Sequence, residues 1–279
     1  MALGSFSKAA DALGYTQSAM SQMVNSLENE LSIRILKRSR TGIELTIEGA
    51  ELYPLIEQTI HRYQATQEKA REIRGLETGT IRMGTLSSIS AHWLPGLLKE
   101  FQATYPGVEF VIHQGDYTTI PEWIRTGTVD FGFVNPAAVS GFQTEILKDG
   151  AMLAVLPRQH PLATWERIPL DALVEEPFIL LEEGHYYEPL EAFRSMGLSP
   201  NIKYTIHDDY AIMTMVEAGL GVSILAELIL HRTNYQIVTR PTLPPVQRTI
   251  AIAYKDRDSL PMASRRFIEY LNSCVSQLP

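Results

Sequence analysis

Polar side chains near the N-terminus have the types and the spacing needed to contact nucleic acid. Thr16 is a suitable N-cap for a helix that begins at Gln17, because its hydroxyl accepts a backbone N–H of the first turn. A helix in the major groove reads base edges with residues near its N-terminus, and glutamine pairs bidentately with adenine. The residues that such a helix would use to contact DNA are Gln17, Ser18, Ser21 and Gln22. On spacing alone, a solvated polar helix face is favoured over contact with DNA.

A short basic run follows this helix. Residues 34–40 include four Lys/Arg and no Asp/Glu. Positive charge clustered on a small element suits contact with phosphate, which positions a protein on DNA without specifying the sequence. Arg38 and Arg40 are therefore predicted phosphate or minor-groove contacts, and an ion pair that stabilises the fold is the alternative for Arg38.

Composition describes an ordinary globular chain of 279 residues with a net charge of −8. Residues 1–75 hold nine Lys/Arg and nine Asp/Glu, so the negative charge lies in residues 76–279. The only cysteine, Cys274, has no partner for an internal disulfide, and no apolar run approaches the roughly 18 residues of a membrane span. We therefore expect a cytoplasmic protein without a membrane partner.

The elements that must position the polar helix are visible on either side of it. Residues 5–46 indicate a helix ended by Gly14, a second helix, a strand over 33–37 and a hairpin turn over 39–42. Apolar residues at spacings of three and four predict one buried stripe on the second helix, formed by Met20, Met23, Val24, Leu27 and Leu31.

A single long helix is predicted over residues 47–74, with Thr46 as its N-cap and Gly75 at its end. Its apolar stripe is loose and narrow, so the helix gains little stability by itself. A partner helix is the simplest remedy, and packing on its own domain is the alternative.

Residues 79–279 alternate strand and helix signals, which predicts an α/β architecture with largely parallel sheets and two small lobes. Ligands of such folds bind beyond the carboxyl ends of strands. Polar segments in that position are residues 85–88, 114–118 and 182–186.

Signals of catalysis are absent from the sequence. The seven histidines form no i,i+4 pair and no metal-like cluster with cysteine, and neither a Gly-x-Ser-x-Gly elbow nor a phosphate loop occurs. We therefore predict no catalytic residue, no metal and no cofactor, and the chain is not expected to be an enzyme.

Short motifs in a fixed order make the chain similar to LysR-type transcriptional regulators. The N-terminal motifs are GSFSKAADAL at 4–13, TQSAMS at 16–21, LENEL at 27–31, RILKR at 34–38 and LTIEG at 45–49. The later motifs are GTIRMG at 79–84, YPG at 105–107, VDFG at 129–132, HPL at 160–162 and AGLGV at 218–222. The resemblance covers nearly the whole chain.

The resemblance implies an α+β multidomain fold. Residues 1–46 would form a winged helix-turn-helix that lacks the family's first helix, and residues 47–78 a linker and dimerisation helix. Residues 79–279 would form a two-lobed α/β effector domain like type 2 periplasmic binding proteins. Lobe I is expected at about 79–150 and 241–279, and lobe II at about 151–240.

The resemblance makes Gln17, Ser18, Ser21 and Gln22 the expected DNA contacts, and it also implies function and partners. It indicates a ligand-responsive regulator that binds double-stranded promoter DNA, contacts RNA polymerase, and forms a linker-helix dimer and a dimer of dimers, hence a homotetramer. An N-terminally truncated effector module that no longer binds DNA by itself is the alternative.

The family's effector cleft lies between the lobes, so the resemblance assigns effector binding to Ser87, Ser88, Tyr117, Asn135, His185 and Asp209. A plain helix-cap or loop role is the alternative for each of these side chains. The carboxylates of Glu182, Glu183, Asp208 and Asp209 predict that the effector is polar and not a simple anion.

Overall fold

The computed structural model describes residues 5–39, 42–73, 78–231 and 233–279. The chain divides into two compact units, Met1–Gln64 and Ala65–Pro279.

The first unit begins with two helices joined by a tight turn. Its elements are α1 (Phe6–Leu13), α2 (Gln17–Leu31), β1 (Leu36–Ser39), β2 (Gly42–Leu45) and the start of α3 (Ile47–Ile73). Gly14 ends α1 with a left-handed φ of 71°, a conformation that glycine adopts without steric cost. The Thr16 hydroxyl accepts the N–H of Ala19 at 3.2 Å, which confirms the predicted N-cap of α2.

The junction between α2 and the hairpin is held by one carboxylate. Oε1 of Glu28 accepts the N–H groups of Ile35 and Leu36 at 2.7 and 2.9 Å. β1 begins at Leu36, so the strand predicted over 33–37 was placed too early, and the N–H of Ile35 is bound by Glu28 instead of by a neighbouring strand. Thr46 Oγ1 accepts the N–H of Gly49 at 2.9 Å, which confirms it as the cap of α3.

The apolar stripe of α2 is not buried, contrary to the sequence prediction. No residue of this helix is buried, and the side chains of Met23, Leu27 and Leu31 are each about two-fifths or more exposed. The helix that packs against α2 is α1, whose eight residues are too short to cover fifteen. Periodicity placed these apolar residues on one face of α2, but it did not predict how much of that face other elements cover.

The second unit is an α/β structure. Its elements are β3 (Thr78–Thr85), α4 (Ser87–His92), α5 (Leu94–Thr104), β4 (Gly107–Gln114), α6 (Thr119–Thr126), β5 (Phe131–Val134), β6 (Gln143–Pro157), β7 (Ile168–Pro169), β8 (Pro177–Leu181), α7 (Glu188–Ser195), β9 (Asn201–Ile206), α8 (Asp209–Glu217), β10 (Ser223–Ala226), α9 (Glu227–Leu230), β11 (Ile237–Tyr254) and α10 (Met262–Cys274).

The main sheet has the strand order β10-β6-β11-β5-β3-β4, with β7 beside β11. It is mixed, so the prediction of largely parallel sheets was wrong. β3 pairs in parallel with β4 and β5, whereas β11 is antiparallel to both β5 and β6. The strands β6 and β11 pair from Ile237 opposite Pro157 to Tyr254 opposite Gln143, and this long ribbon passes through the whole unit.

Separate hydrophobic cores lie along this ribbon. One core contains Trp93, Phe101, Phe133 and Phe267 and belongs to the half with β3, β4 and β5. A second core contains Phe178 and Phe193, and a third packs α8 against the same half of the ribbon. The parallel pair β8–β9 belongs to this other half, so the two halves are joined by strands rather than by one shared core. Within the described residues, no helix is long and apolar enough to cross a membrane.

Candidate functional site

The polar face of α2 is accessible. Gln17, Ser18 and Gln22 are exposed, and Ser21 is half-buried, all within the first two turns of the helix. Thr16 Oγ1 lies 3.1 Å from Ser18 Oγ, so the hydroxyl that caps α2 is within hydrogen-bond distance of a hydroxyl on its polar face. The structure thus brings the four predicted DNA-contacting residues together on one helix end.

A broad groove of about 980 Å³ lies between α2 and the β1–β2 hairpin, and Ser21, Arg34 and Lys37 line it. Lys37 pairs with Glu44 across the hairpin at 3.9 Å. Arg38 is a residue of β1, but its side chain is outside what the structure describes. Arg40 lies outside the described residues, so both predicted roles of the hairpin arginines stay predictions.

A cavity of about 180 Å³ opens in the second unit, where strand ends of its two halves face each other. The cavity, here called the cleft, is lined by Ser87, Gln114, Gly115, Asp116, Leu181, Glu182, Glu183, His207 and Asp209. Four of these described lining residues are carboxylates and none is Lys or Arg. One bond spans the cleft, because the Ser87 hydroxyl donates to the carboxylate of Asp209.

A buried polar network lies beside the cleft. Arg248 of β11 donates from Nη2 to Glu183 Oε1 at 2.8 Å and from Nε to the Tyr117 hydroxyl at 2.7 Å. The Tyr117 hydroxyl donates in turn to Glu188 Oε1 at 2.7 Å, and Asn135 Nδ2 donates to the same oxygen at 2.9 Å. One guanidinium therefore serves two carboxylates, Glu183 and Glu188, in a site almost closed to water.

Burial favours the protonated forms of two carboxyl groups at the cleft, Glu183 and Asp209. Burial raises the pKa of Glu183 to about 7, because the cost of desolvation and the repulsion of Glu188 and Asp209 exceed the attraction of Arg248. Burial also raises the pKa of Asp209, against the hydrogen bond from Ser87. Burial by itself lowers the pKa of Arg248, but the neighbouring carboxylates outweigh it and raise that pKa well above its ordinary value.

The predicted effector residues do not all line the cleft. Ser87 and Asp209 do so, whereas Tyr117 and Asn135 lie in the network behind it. His185 is exposed, with Nε2 donating to the Ala138 carbonyl at 2.8 Å and Nδ1 at 3.1 Å from Thr118 Oγ1, so it fastens two loops. Ser88 is buried and faces a different cavity.

Two members of the network, Glu188 and Arg248, were missed by sequence reasoning. Arg248 interrupts the apolar alternation of a strand, with Val246 and Ile250 both buried on either side. A charged residue in a buried strand needs a paired charge, so that position carried a usable signal. Glu188 precedes a proline at the start of α7, where an acidic residue is ordinary, and nothing distinguished it. Among the described residues no His, Cys, Asp and Glu group is arranged to hold a metal ion.

Two family models match the chain. The model of bacterial regulatory helix-turn-helix proteins of the lysR family matches residues 1–50, and the model of the LysR substrate binding domain matches residues 74–274.

Transcriptional regulators are similar to this chain over nearly their full length. The uncharacterized HTH-type transcriptional regulator YvbU of Bacillus subtilis is 32% identical, with 95% of this chain and 92% of YvbU covered. The transcriptional dual regulator GltC of the same organism is 28% identical, with 94% and 89% covered. The structure of a full-length OxyR variant from Pseudomonas aeruginosa is 26% identical in sequence with a TM-score of 0.71, covering 99% of this chain and 94% of OxyR.

Proposed function

The chain belongs to the LysR family of bacterial transcriptional regulators, and from this premise we propose how it reads DNA and senses a ligand. It is a DNA-binding, ligand-responsive regulator with an effector-binding domain, and the predicted fold class is confirmed. Because the helix-turn-helix model matches residues 1–50, the main interpretation holds over the alternative of an N-terminally truncated effector module that no longer binds DNA by itself.

α2 is the proposed DNA-reading helix. α2 enters the major groove, where Gln17, Ser18, Ser21 and Gln22 contact base edges or phosphates, and Arg38 and Arg40 contact the backbone. The observation that carries this assignment is that Gln17, Ser18 and Gln22 are exposed at one end of α2, with Ser21 half-buried beside them. Glutamine offers both a donor and an acceptor, so each bidentate pair with adenine discriminates by about 1–3 kcal/mol.

The proposed assembly rests on exposed apolar side chains of α3. Leu55, Ile60 and Tyr63 of α3 are each more than half exposed, which leaves apolar surface on a helix of 27 residues. A second copy of α3 covers such surface in a homodimer, and two dimers form a homotetramer that bridges two DNA half-sites. The linker is proposed as residues 47–78, between a DNA-binding domain at 1–46 and an effector domain at 79–279.

The cleft is the proposed effector site. Ser87 and Asp209 contact the effector, and Tyr117, Asn135 and His185 hold the surrounding loops. Asp116, Glu182, Glu183 and Asp209 line the cleft, and they favour a ligand that carries a positive charge because such a charge stabilises the ionised forms of the buried acids Glu183 and Asp209. Ligand binding biases the arrangement of the two halves only through its different affinity for the two states, and that bias changes the spacing of the DNA-binding domains.

Promoter DNA and RNA polymerase are the proposed macromolecular partners, and the cytoplasm is the proposed location. The chain acts in this proposal as a regulator without catalysis.

The decisive experiment is a titration of double-stranded DNA from upstream of the chain's own gene, followed by fluorescence anisotropy. Affinity is expected to fall steeply between low and physiological salt, because phosphate contacts release counterions. Gln22→Ala is expected to weaken specific binding by about five- to 150-fold, the equivalent of 1–3 kcal/mol, with little change for unrelated duplex.

Gln102→Ala provides a matched control, since Gln102 is an exposed glutamine on α5, outside both the proposed interface with DNA and the proposed dimer helix. The assignment is wrong if no duplex binds even in dilute buffer, or if Gln22→Ala and Gln102→Ala have equal effects.

A further inference from the structure

A second cavity lies beside the ribbon of β6 and β11, separate from the cleft. Its volume is about 170 Å³, below the roughly 300 Å³ at which sites for drug-sized ligands begin. Trp93, Leu228 and Ile250 form an apolar part of its wall. The cavity therefore suits a molecule with a small apolar body.

Ser88 supplies an unsatisfied polar group to this cavity. The residue is 2% exposed, and its hydroxyl has no hydrogen-bond partner among the described residues. A buried hydroxyl without a partner destabilises the fold, so its presence needs a reason. Its neighbour Ser87 faces the cleft, so consecutive residues of α4 line two different cavities.

Charged groups of both signs stand on the wall of this cavity. Lys148 of β6 is half-buried and donates from Nζ to the Leu278 carbonyl, with no carboxylate paired to it among the described residues. Glu227 at the start of α9 is exposed at the same wall. These two side chains place a positive and a negative charge on the wall that a ligand would contact.

Two other charged residues of the wall are already engaged elsewhere. Arg248 lines the cavity, but Glu183 and Glu188 balance its charge. Asp149 accepts a hydrogen bond from the Thr249 hydroxyl at 2.7 Å but keeps its negative charge. Among the described Lys, Arg, Asp and Glu side chains of the wall, Lys148 is therefore the cation available to a ligand carboxylate, and Glu227 and Asp149 together favour a ligand ammonium group.

We propose that this cavity binds a small zwitterion with an apolar side chain, such as an aliphatic α-amino acid. The carboxylate of the ligand lies near Lys148 and the Ser88 hydroxyl, and its ammonium group lies near Glu227. The side chain contacts Trp93 and Ile250. This assignment is independent of the effector proposed for the cleft.

The test is isothermal titration calorimetry of the full chain with L-valine. Saturable binding is expected, and isovalerate, which lacks the ammonium group, and isobutylamine, which lacks the carboxylate, are each expected to bind at least tenfold more weakly. Lys148→Met and Glu227→Gln are expected to weaken L-valine binding at least tenfold. Glu227 is exposed, so its substitution leaves the fold intact even if Lys148→Met does not.

Ser88→Ala separates binding from structure. Removal of an unsatisfied hydroxyl is expected to leave the unfolding midpoint unchanged or higher, while L-valine binds several-fold more weakly. Ser87→Ala, on the cleft side, is the control that leaves L-valine binding unchanged. Absence of saturable binding at millimolar L-valine, equal binding of isovalerate, or loss of binding in Ser87→Ala alone would each overturn the proposal.

Discussion

Arg248 donates a hydrogen bond from Nη2 to Oε1 of Glu183 at 2.8 Å, although 65 residues separate them in the chain. Arg248 belongs to the ribbon that passes through both halves of the effector domain, whereas Glu183 follows β8 and lines the cleft. The charge of Glu183 in the cleft therefore depends on Arg248, a residue of the strand that both halves share.

Arg248→Met is expected to lower the free energy of unfolding by about 3–5 kcal/mol, because it leaves Glu183 and Glu188 buried without a compensating charge. Urea denaturation at pH 8 measures this change. Arg194→Met is the control, since Arg194 pairs with Glu191 on the exposed face of α7 and its loss costs less than about 1 kcal/mol. Equal effects of the two substitutions would contradict the role given to Arg248.

Stability is expected to fall as pH rises from about 5 to 7. Burial raises the pKa of Glu183 from 4.5 to about 7, so in this window the folded chain holds a proton that the unfolded chain releases. The full window corresponds to about 3 kcal/mol, at about 1.4 kcal/mol for each pKa unit. The raised pKa of Asp209 acts in the same direction.

Glu183→Gln is expected to flatten this pH dependence in urea denaturation, because the amide does not titrate. Glu109→Gln removes an exposed carboxylate of β4 outside the buried network and is expected to keep the slope. A free energy of unfolding that rises between pH 5 and 7 would show that Glu183 is ionised in the folded chain.

Ile60→Asp is expected to dissociate the proposed dimer, because a carboxylate in an apolar helix seam loses its hydration on association. Sedimentation velocity measures the mass over a range of concentrations. Glu51 lies nine residues away, on about the opposite side of α3, so Glu51→Lys is the control that keeps the dimer. A dimer that survives Ile60→Asp would exclude this part of α3 from the interface.

A cationic ligand is expected to occupy the cleft. Agmatine, putrescine and L-arginine serve as probes in thermal unfolding, and at least one is expected to raise Tm, while succinate leaves it unchanged. Asp209→Asn reduces the shift, and Asp171→Asn, an exposed carboxylate that does not line the cleft, preserves it. Tight binding of succinate would refute a positively charged effector.

Local signals in the sequence predicted the elements well. Thr16 and Thr46 cap α2 and α3, and Gly14 ends α1, because caps and helix ends depend on residues within one turn. The polar end of α2 follows equally from a spacing of 3.6 residues, so the candidate DNA-contacting face was visible without a structure.

The sequence by itself determined the order of helices and strands, the polar end of α2 and the family to which the motifs belong. Only the tertiary structure decided that the stripe of α2 stays exposed, that the main sheet is mixed, and that Arg248 meets Tyr117 across 131 residues. The physical reason is range: a periodic pattern records how a segment divides its polar and apolar faces. What lies against each face depends on how distant segments pack. Only that packing buries Arg248 and Glu183 and brings them together beside the cleft.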